Sequence, residues 1–266
     1  MNQSFYTGAL GAGTCMAKMS IISNNLANIN NNGFKPKNTA FTDLMNFNLN
    51  DSEDAVTELM SGNGVRMQRT YSTFNSEAIT ATNSDIDFAI QNPNQFFMVR
   101  DPATGAVTFT RGGHFYKAQM EDGYYLMTDS GKQVLDQNGE PLRAEVADIE
   151  RIRARLEGEE EEDYDEEEED DYDEEEEDNS PRLSLYTFSN PSRLLSVGDN
   201  EFAPPEDMAP ILVNNPQIMP SALERSGTDL AKEMTKMIEC QRAYSYALKM
   251  VITSDEIEST INSLRG

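Results

Sequence analysis

The chain has 266 residues, 47 of them acidic and 21 basic, for a formal charge of −26. That balance excludes nucleic acid as a partner, because holding phosphates needs a basic footprint. Hydrophobic residues are 38% of the chain and Trp is absent, a thin core for this length and a sign of an extended or partly disordered shape.

The charge is uneven. Residues 159–178 contain eighteen carboxylates and two Tyr. Without that run the charge is −8, that of an ordinary mildly acidic protein. The two cysteines, Cys15 and Cys240, stand near opposite ends and form neither a disulfide framework nor a zinc site. No apolar run approaches the roughly 20 residues that span a bilayer. The start shows no basic segment followed by a long apolar one, so no cleaved signal peptide is expected.

The first element is helical. Phe5, Ala9, Ala12, Met16, Met19, Ile22 and Leu26 recur at steps of three and four, an apolar stripe on a 3.6-residue period. The stripe stops in "SNNLANINNNGF" (residues 23–34), where six of twelve residues are Asn. Asn is poor inside a helix and tolerates the left-handed conformation that ends one. Gly33 tolerates it better still, and Pro36 prevents continuation. Residues 35–64 are mixed, with a short helical piece expected around 41–47.

From residue 65 to 142 the period becomes two. "FFMVR", "VTFTR" and "YYLMT" alternate with the turn signals "DPATG", "EDG", "DSG" and "QNG". This is the spacing of an antiparallel all-β unit. "RLSLYTF" and "LLSVG" (residues 182–188 and 194–198) read as further strands. The acidic run between them repels itself and buries nothing, so it is expected to be disordered.

The last element is helical again. Leu230, Met234, Met237, Ile238, Tyr244, Leu248, Val251 and Ile252 form a stripe that drifts through Ile257, Ile261 and Leu264. Thr228 and Asp229 are candidate caps, with Glu233 near the positive end of the helix dipole. Each terminal stripe must be buried somewhere. The simplest partner is the other terminus, in a coiled-coil-like pair; the alternative is that both helices lie on the β domain.

The residues reveal no catalytic constellation. His114 is the single His, and any Cys-His or Ser-His-Asp arrangement would have to use it. "TGALGAG" lacks the Lys-Ser/Thr pair of a phosphate loop. The acidic run lacks the glycine and alternation that shape a calcium loop.

Several phrases together carry a family resemblance. Ser23-Asn24-Asn25-Leu26-Ala27-Asn28 followed by Gly33-Phe34-Lys35, with Phe41 and Leu44 beyond it, is similar to the N-terminal signature of the bacterial flagellar axial proteins, specifically the rod and hook-basal-body subunits. Met234, Ile238 and Gln241-Arg242-Ala243-Tyr244, down to Asp255-Glu256, resemble the C-terminal signature. Between them Gly62-Asn63-Gly64-Val65, Ile86-Asp87-Phe88-Ala89-Ile90, Phe96-Phe97-Met98-Val99, Thr110-Arg111-Gly112-Gly113-His114-Phe115, Asn190-Pro191 and Val197-Gly198-Asp199-Asn200 follow in the family's order. Coverage is nearly the whole chain apart from the acidic run. Asn30-Asn31-Asn32 replaces the usual Asn-Thr, Asn94-Gln95 a usual Gly, and Ser226-Gly227-Thr228 a usual Ser-Asn-Val. These departures leave the subtype open.

The resemblance implies an α+β chain. Its antiparallel all-β central domain lies between N- and C-terminal helices that pair as a coiled-coil-like α domain. The expected divisions are an N-terminal helix and Asn-rich corner (1–34), a connecting segment (35–64), the β domain (65–156 and 180–220), the acidic insert (157–179) and the C-terminal helix (221–266). The resemblance further implies a structural subunit of the rod, not an enzyme and without cofactor. Its partners would be copies of itself, other rod and hook subunits and the flagellar export apparatus. It would lie in the basal body, exported unfolded without a cleaved signal. The expected assembly residues are Asn24, Asn25, Leu26, Asn28, Gly33 and Phe34 at the corner, and Leu230, Met234, Met237, Ile238, Gln241, Arg242, Tyr244 and Leu248 on the last helix. Two other classes stay open: a hook-like or cap-like axial protein, and a cation- or partner-binding module centred on the acidic run.

Overall fold

A computed structural model describes residues 3–45, 47–48, 60–120, 123–144, 149, 152–153 and 183–265. The expected disordered insert at 157–179 lies outside the described residues. The chain divides into two compact units, Met1–Ile29 with Pro36–Thr73 and Thr228–Gly266, and Asn30–Lys35 with Phe74–Gly227. The fold is α+β, with a helix at either end of a mostly antiparallel β region.

The first unit contains both helices, α1 (Gln3–Ala27) and α2 (Leu230–Arg265). Asp229 caps α2: its Oδ1 accepts from the Lys232 backbone N at 3.2 Å, and Glu233 adds an acid in the first turn. α1 frays through its asparagines. The Asn28 backbone N reaches both the Asn24 and Asn25 carbonyls, and the Asn28 side-chain amide donates to Asn24 O at 2.8 Å. No described helix is long and apolar enough to cross a membrane.

Among the described residues of 41–47, the helical piece considered from the sequence is absent. Residues Lys37–Asp43 form a strand, β1, and Phe47–Asn48 a second short one, β2, which pairs with β3 (Met60–Ser61). β1 pairs antiparallel with β4 (Val65–Ser72), Phe41 standing opposite Met67, with a bulge between Ala40 and Phe41. A ladder partner more than twenty residues away supplies the backbone bonds, and Thr39, Phe41 and Thr42 suit a pleated surface. Tertiary pairing therefore overrides a weak local helical pattern.

The second unit is built around one nine-stranded antiparallel sheet. After β5 (Ile79–Ala81) and β6 (Phe88–Ile90) comes its central strand, β7 (Gln95–Arg100). One edge of β7 pairs with β8 (Val107–Thr110); the other takes β12 (Leu185–Thr187) near its start and β11 (Gln133–Val134) near its end. β9 (Phe115–Met120) and β10 (Gly123–Thr128) extend one side as a hairpin. β13 (Leu195–Gly198), β14 (Glu201–Ala203) and β15 (Ile211–Leu212) complete the sheet. β16 (Ile218–Pro220) pairs with β6 and β17 (Ala222–Glu224) with β5.

Successive side chains of a strand face opposite ways, and both faces of β7 are buried. Phe97 and Val99 enter a core with Phe88, Phe115, Leu126 and Leu185. Phe96 enters a second, aromatic core with Phe74, Phe109, Phe188 and Phe202. Its edge-to-face ring pairs, such as Phe109 on Phe188 at 4.9 Å between centroids, let aromatic area serve where Trp is missing.

Candidate assembly interface

α1 and α2 run antiparallel. Asn25 meets Glu233, Cys15 meets Cys240, Gly8 meets Ala247 and Val251, and Ser4 meets Ser254. The facing positions on α2 (Glu233, Met237, Cys240, Tyr244, Ala247, Val251 and Ser254) alternate steps of four and three. Those on α1 (Ser4, Gly8, Gly11, Cys15, Lys18, Ile22 and Asn25) do the same. Half of these fourteen positions carry Ser, Gly, Cys or Ala, which lets the backbones approach closely. A Cβ added at Gly8 would lie 3.1 Å from Val251 Cγ2 and 3.2 Å from Ala247 O.

This seam coincides only in part with the stripes expected from the sequence: Ile22, Met237, Tyr244 and Val251 lie in it. Ala12 and Ile22 of the N-terminal stripe are buried, but Phe5 and Met16 are exposed. On α2, Leu230 (52% exposed), Met234 (46%), Ile238 (49%) and Ile252 (57%) remain open, as does Leu248. Met237 and Tyr244 are half-buried, while Gln241 and Arg242 are exposed. Periodicity detects large apolar residues; the Gly, Ser, Cys and Ala positions of the seam escape it.

Of the corner residues in this unit, Asn24 is exposed, and Leu26 and Asn28 are half-buried. Asn25 is 1% exposed and acts inside the chain. Its Nδ2 donates to Lys37 O and its Oδ1 accepts from Lys37 N, both at 2.9 Å, so its amide completes the start of β1 as a neighbouring strand would. The same Nδ2 lies 3.3 Å from Glu233 Oε2.

The remaining corner residues belong to the β unit. Gly33 has φ +67°, and a Cβ there would come 2.6 Å from Arg111 O, so both conformation and space require glycine. Phe34 is buried. Gly33 N donates to Glu224 O at 2.8 Å, and Phe34 O accepts from Gly227 N at 2.9 Å.

Beneath this backbone clasp lies a buried ionic cluster. Glu224 accepts from Lys35 Nζ at 2.8 Å, from Arg111 Nε at 2.9 Å and from the Glu77 backbone N at 3.0 Å. Lys35 Nζ also donates to Asn75 O, and Arg111 Nη1 to the carbonyls of Asn92 and Gln95. Burial first, and the Arg111 guanidinium second, hold the Lys35 ammonium below its ordinary pKa. Lys35 and Arg111 both stood within recognisable phrases, but nothing local linked either to Glu224, 189 and 113 residues away.

His114 donates to or accepts from Asp87 Oδ1 through Nδ1 at 2.8 Å, half-exposed. Among the described residues no group of three His, Cys, Asp or Glu is arranged to hold a metal.

Comparison with known proteins points to a class. Residues 219–264 match the sequence model of the C-terminal region of the flagellar basal body rod FlgEFG proteins. Over 280 aligned residues the chain is 29% identical to the flagellar basal-body rod protein FlgG of Buchnera aphidicola subsp. Schizaphis graminum, covering 99% of this chain and 100% of that protein. It is 25% identical to FlgG of Bacillus subtilis, and 25% to the flagellar hook-basal body complex protein FlhP of that species, each over the full length of both chains. The class is therefore a structural protein of the flagellum, not an enzyme. Within that class, the FlgG relatives that align over the full length are flagellar basal-body rod proteins, and they support a structural rod subunit.

Proposed function

We propose that this subunit polymerises through its terminal helices into the hollow rod of the basal body, a shaft that transmits torque and lets export substrates pass. The observation that carries the reading is the row Leu230, Met234, Ile238, Leu248 and Ile252, large apolar side chains left exposed after α1 and α2 have paired. Fully burying each such side chain contributes roughly 1.5–3 kcal/mol. A contact that repeats without closing produces an open helical polymer. The helix pair is coiled-coil-like in this reading, with the alternating steps of four and three as its seam.

The partners are other copies, other rod and hook subunits, and the export apparatus that delivers the chain without cleaving it. The location is the basal body in the cell envelope. Asn24, Leu26, Asn28, Met237, Gln241, Arg242 and Tyr244 border the apolar row or the helix ends. Asn25, Gly33 and Phe34 support the interface by fixing the chain at the corner.

The test is sedimentation and negative-stain microscopy of the purified chain and of an Ile238→Glu/Ile252→Glu variant. The wild type is expected to form rods or short tubes. The variant is expected to stay monomeric with unchanged helix content by circular dichroism, because both sites are exposed in the single chain. A variant that polymerises at the wild-type concentration would refute the reading.

A further inference from the structure

Charge is unequally placed along the helix pair. At the end where α1 finishes and α2 begins, a groove of about 300 Å³ is lined by Lys18, Lys37 and Lys236, with Ile22, Phe41 and Tyr71. Lys236 is paired with Glu233 at 2.6 Å. Lys18 lies over the Phe41 ring, 5.5 Å from its centre, and among the described residues neither Lys18 nor Lys37 has an ion-pair partner. At the opposite end α2 presents Asp255, Glu256 and Glu258, all exposed and likewise without an ion-pair partner among the described residues.

We propose that this basic groove receives the acidic end of α2 from a second copy of the chain. The inference rests on the reading of the protein as a polymerising subunit and specifies its axial register. Lys236 and Glu256 lie 20 residues apart on α2, about 30 Å at 1.5 Å per residue. A second copy displaced by that distance along the helix axis sets its groove beside the first copy's carboxylates. The same displacement brings Ile252 and Ile257 of the first copy level with Met234 and Ile238 of the second, all four exposed in the single chain. Charge and apolar area thus meet in one register. Because the two ends differ, the contact repeats head to tail and does not close.

The experiment measures the critical concentration for polymerisation by sedimentation, with circular dichroism as a fold control. Variants are Lys18→Glu/Lys37→Glu and Asp255→Lys/Glu256→Lys/Glu258→Lys. Each alone is expected to raise the critical concentration about tenfold, since several exposed attractions become repulsions. An equimolar mixture is expected to restore it, because each variant's acidic end then meets a basic one and each basic end an acidic one. Raising the salt to half molar is expected to weaken wild-type assembly. Unchanged assembly of the lysine variant, or a mixture as poor as its components, overturns the register. If deleting residues 159–178 raises the critical concentration while the triple lysine variant does not, the groove takes the acidic run, and the proposal is again wrong. Failure here while Ile238→Glu/Ile252→Glu still blocks polymers leaves the rod reading standing. A wild type that forms no polymer overturns both.

Discussion

Replacing Glu224 by Gln tests what holds the corner segment onto the β unit. The change keeps the side chain's volume and removes what is, among the described residues, the only carboxylate in direct contact with both buried cations, Lys35 and Arg111. All three side chains are essentially inaccessible to water, so no solvent replaces the lost charge. Removing one partner of a buried ion pair costs about 3–5 kcal/mol, because the remaining charge stays buried and uncompensated. Lys35→Met is the contrast. It removes the surplus cation, leaves the Glu224–Arg111 pair intact and forfeits the bonds to Glu224 and Asn75, for about 1–2 kcal/mol. The assay is native-state hydrogen exchange read by mass spectrometry on peptides from β7 and β8, which reports the β unit by itself. At 1.4 kcal/mol per factor of ten, Glu224→Gln should accelerate exchange there by about a hundredfold or more, and Lys35→Met by about tenfold. If the two variants came within about 1 kcal/mol of each other, uncompensated charge would not be what matters in the cluster, and its hydrogen bonds alone would explain the clasp.

Two further outcomes follow from the geometry. Gly113→Ala should destabilise the β unit by at least about 2 kcal/mol in urea unfolding, since the new Cβ would fall 1.6 Å from Phe88 O, a backbone atom of the strand it faces. Alkylation under native conditions at pH 8 should label Cys15 at least about ten times faster than Cys240, and denatured, non-reduced protein should show two free thiols. Cys240 is buried and donates to Cys15 O at 3.1 Å, and burial, followed by the neighbouring Cys15, raises its thiol pKa; equal labelling rates would contradict that placement.

Both helices and most strands were legible because each has a period that large residues mark. Phe96, Phe97 and Val99 announce a strand buried on both faces, and the glycines in "DPATG", "DSG" and "QNG" sit where φ is positive, at Gly105, Gly131 and Gly139. What escaped was whatever depends on partners distant in sequence. β1 begins Lys-Asn-Thr, a polar run that becomes a strand because Asn25 and β4 supply its hydrogen bonds. The helix seam escaped because closeness, not bulk, defines it, and Gly8 and Gly11 leave no apolar signal. The Lys35–Glu224–Arg111 cluster joins three segments that share no local pattern. The asparagines were legible as a helix end, but not as a helix end whose buried Asn25 is part of a strand's ladder.

The division between a small-residue seam and a large-residue outer row has an energetic consequence. Long helices gain stability mainly from packing, and isolated ones are marginal in water. A seam of Ser4, Gly8, Gly11 and Cys15 buries little apolar area for each residue it orders. Moreover, Ser254 stands opposite Ser4, near Gln3 at the start of the described α1, so the eleven residues of α2 after Ser254 extend past the described part of their partner. That extension carries Ile257, Ile261 and Leu264, all exposed. In a subunit whose pairing were complete within itself, such side chains would be a liability for aggregation. In one that meets neighbours along its axis they are the part of the helix with the most to gain. The small positions of the seam therefore set where α2 lies within the chain, and under the proposed polymerisation the large residues left uncovered would make the helix's full stability depend on neighbours.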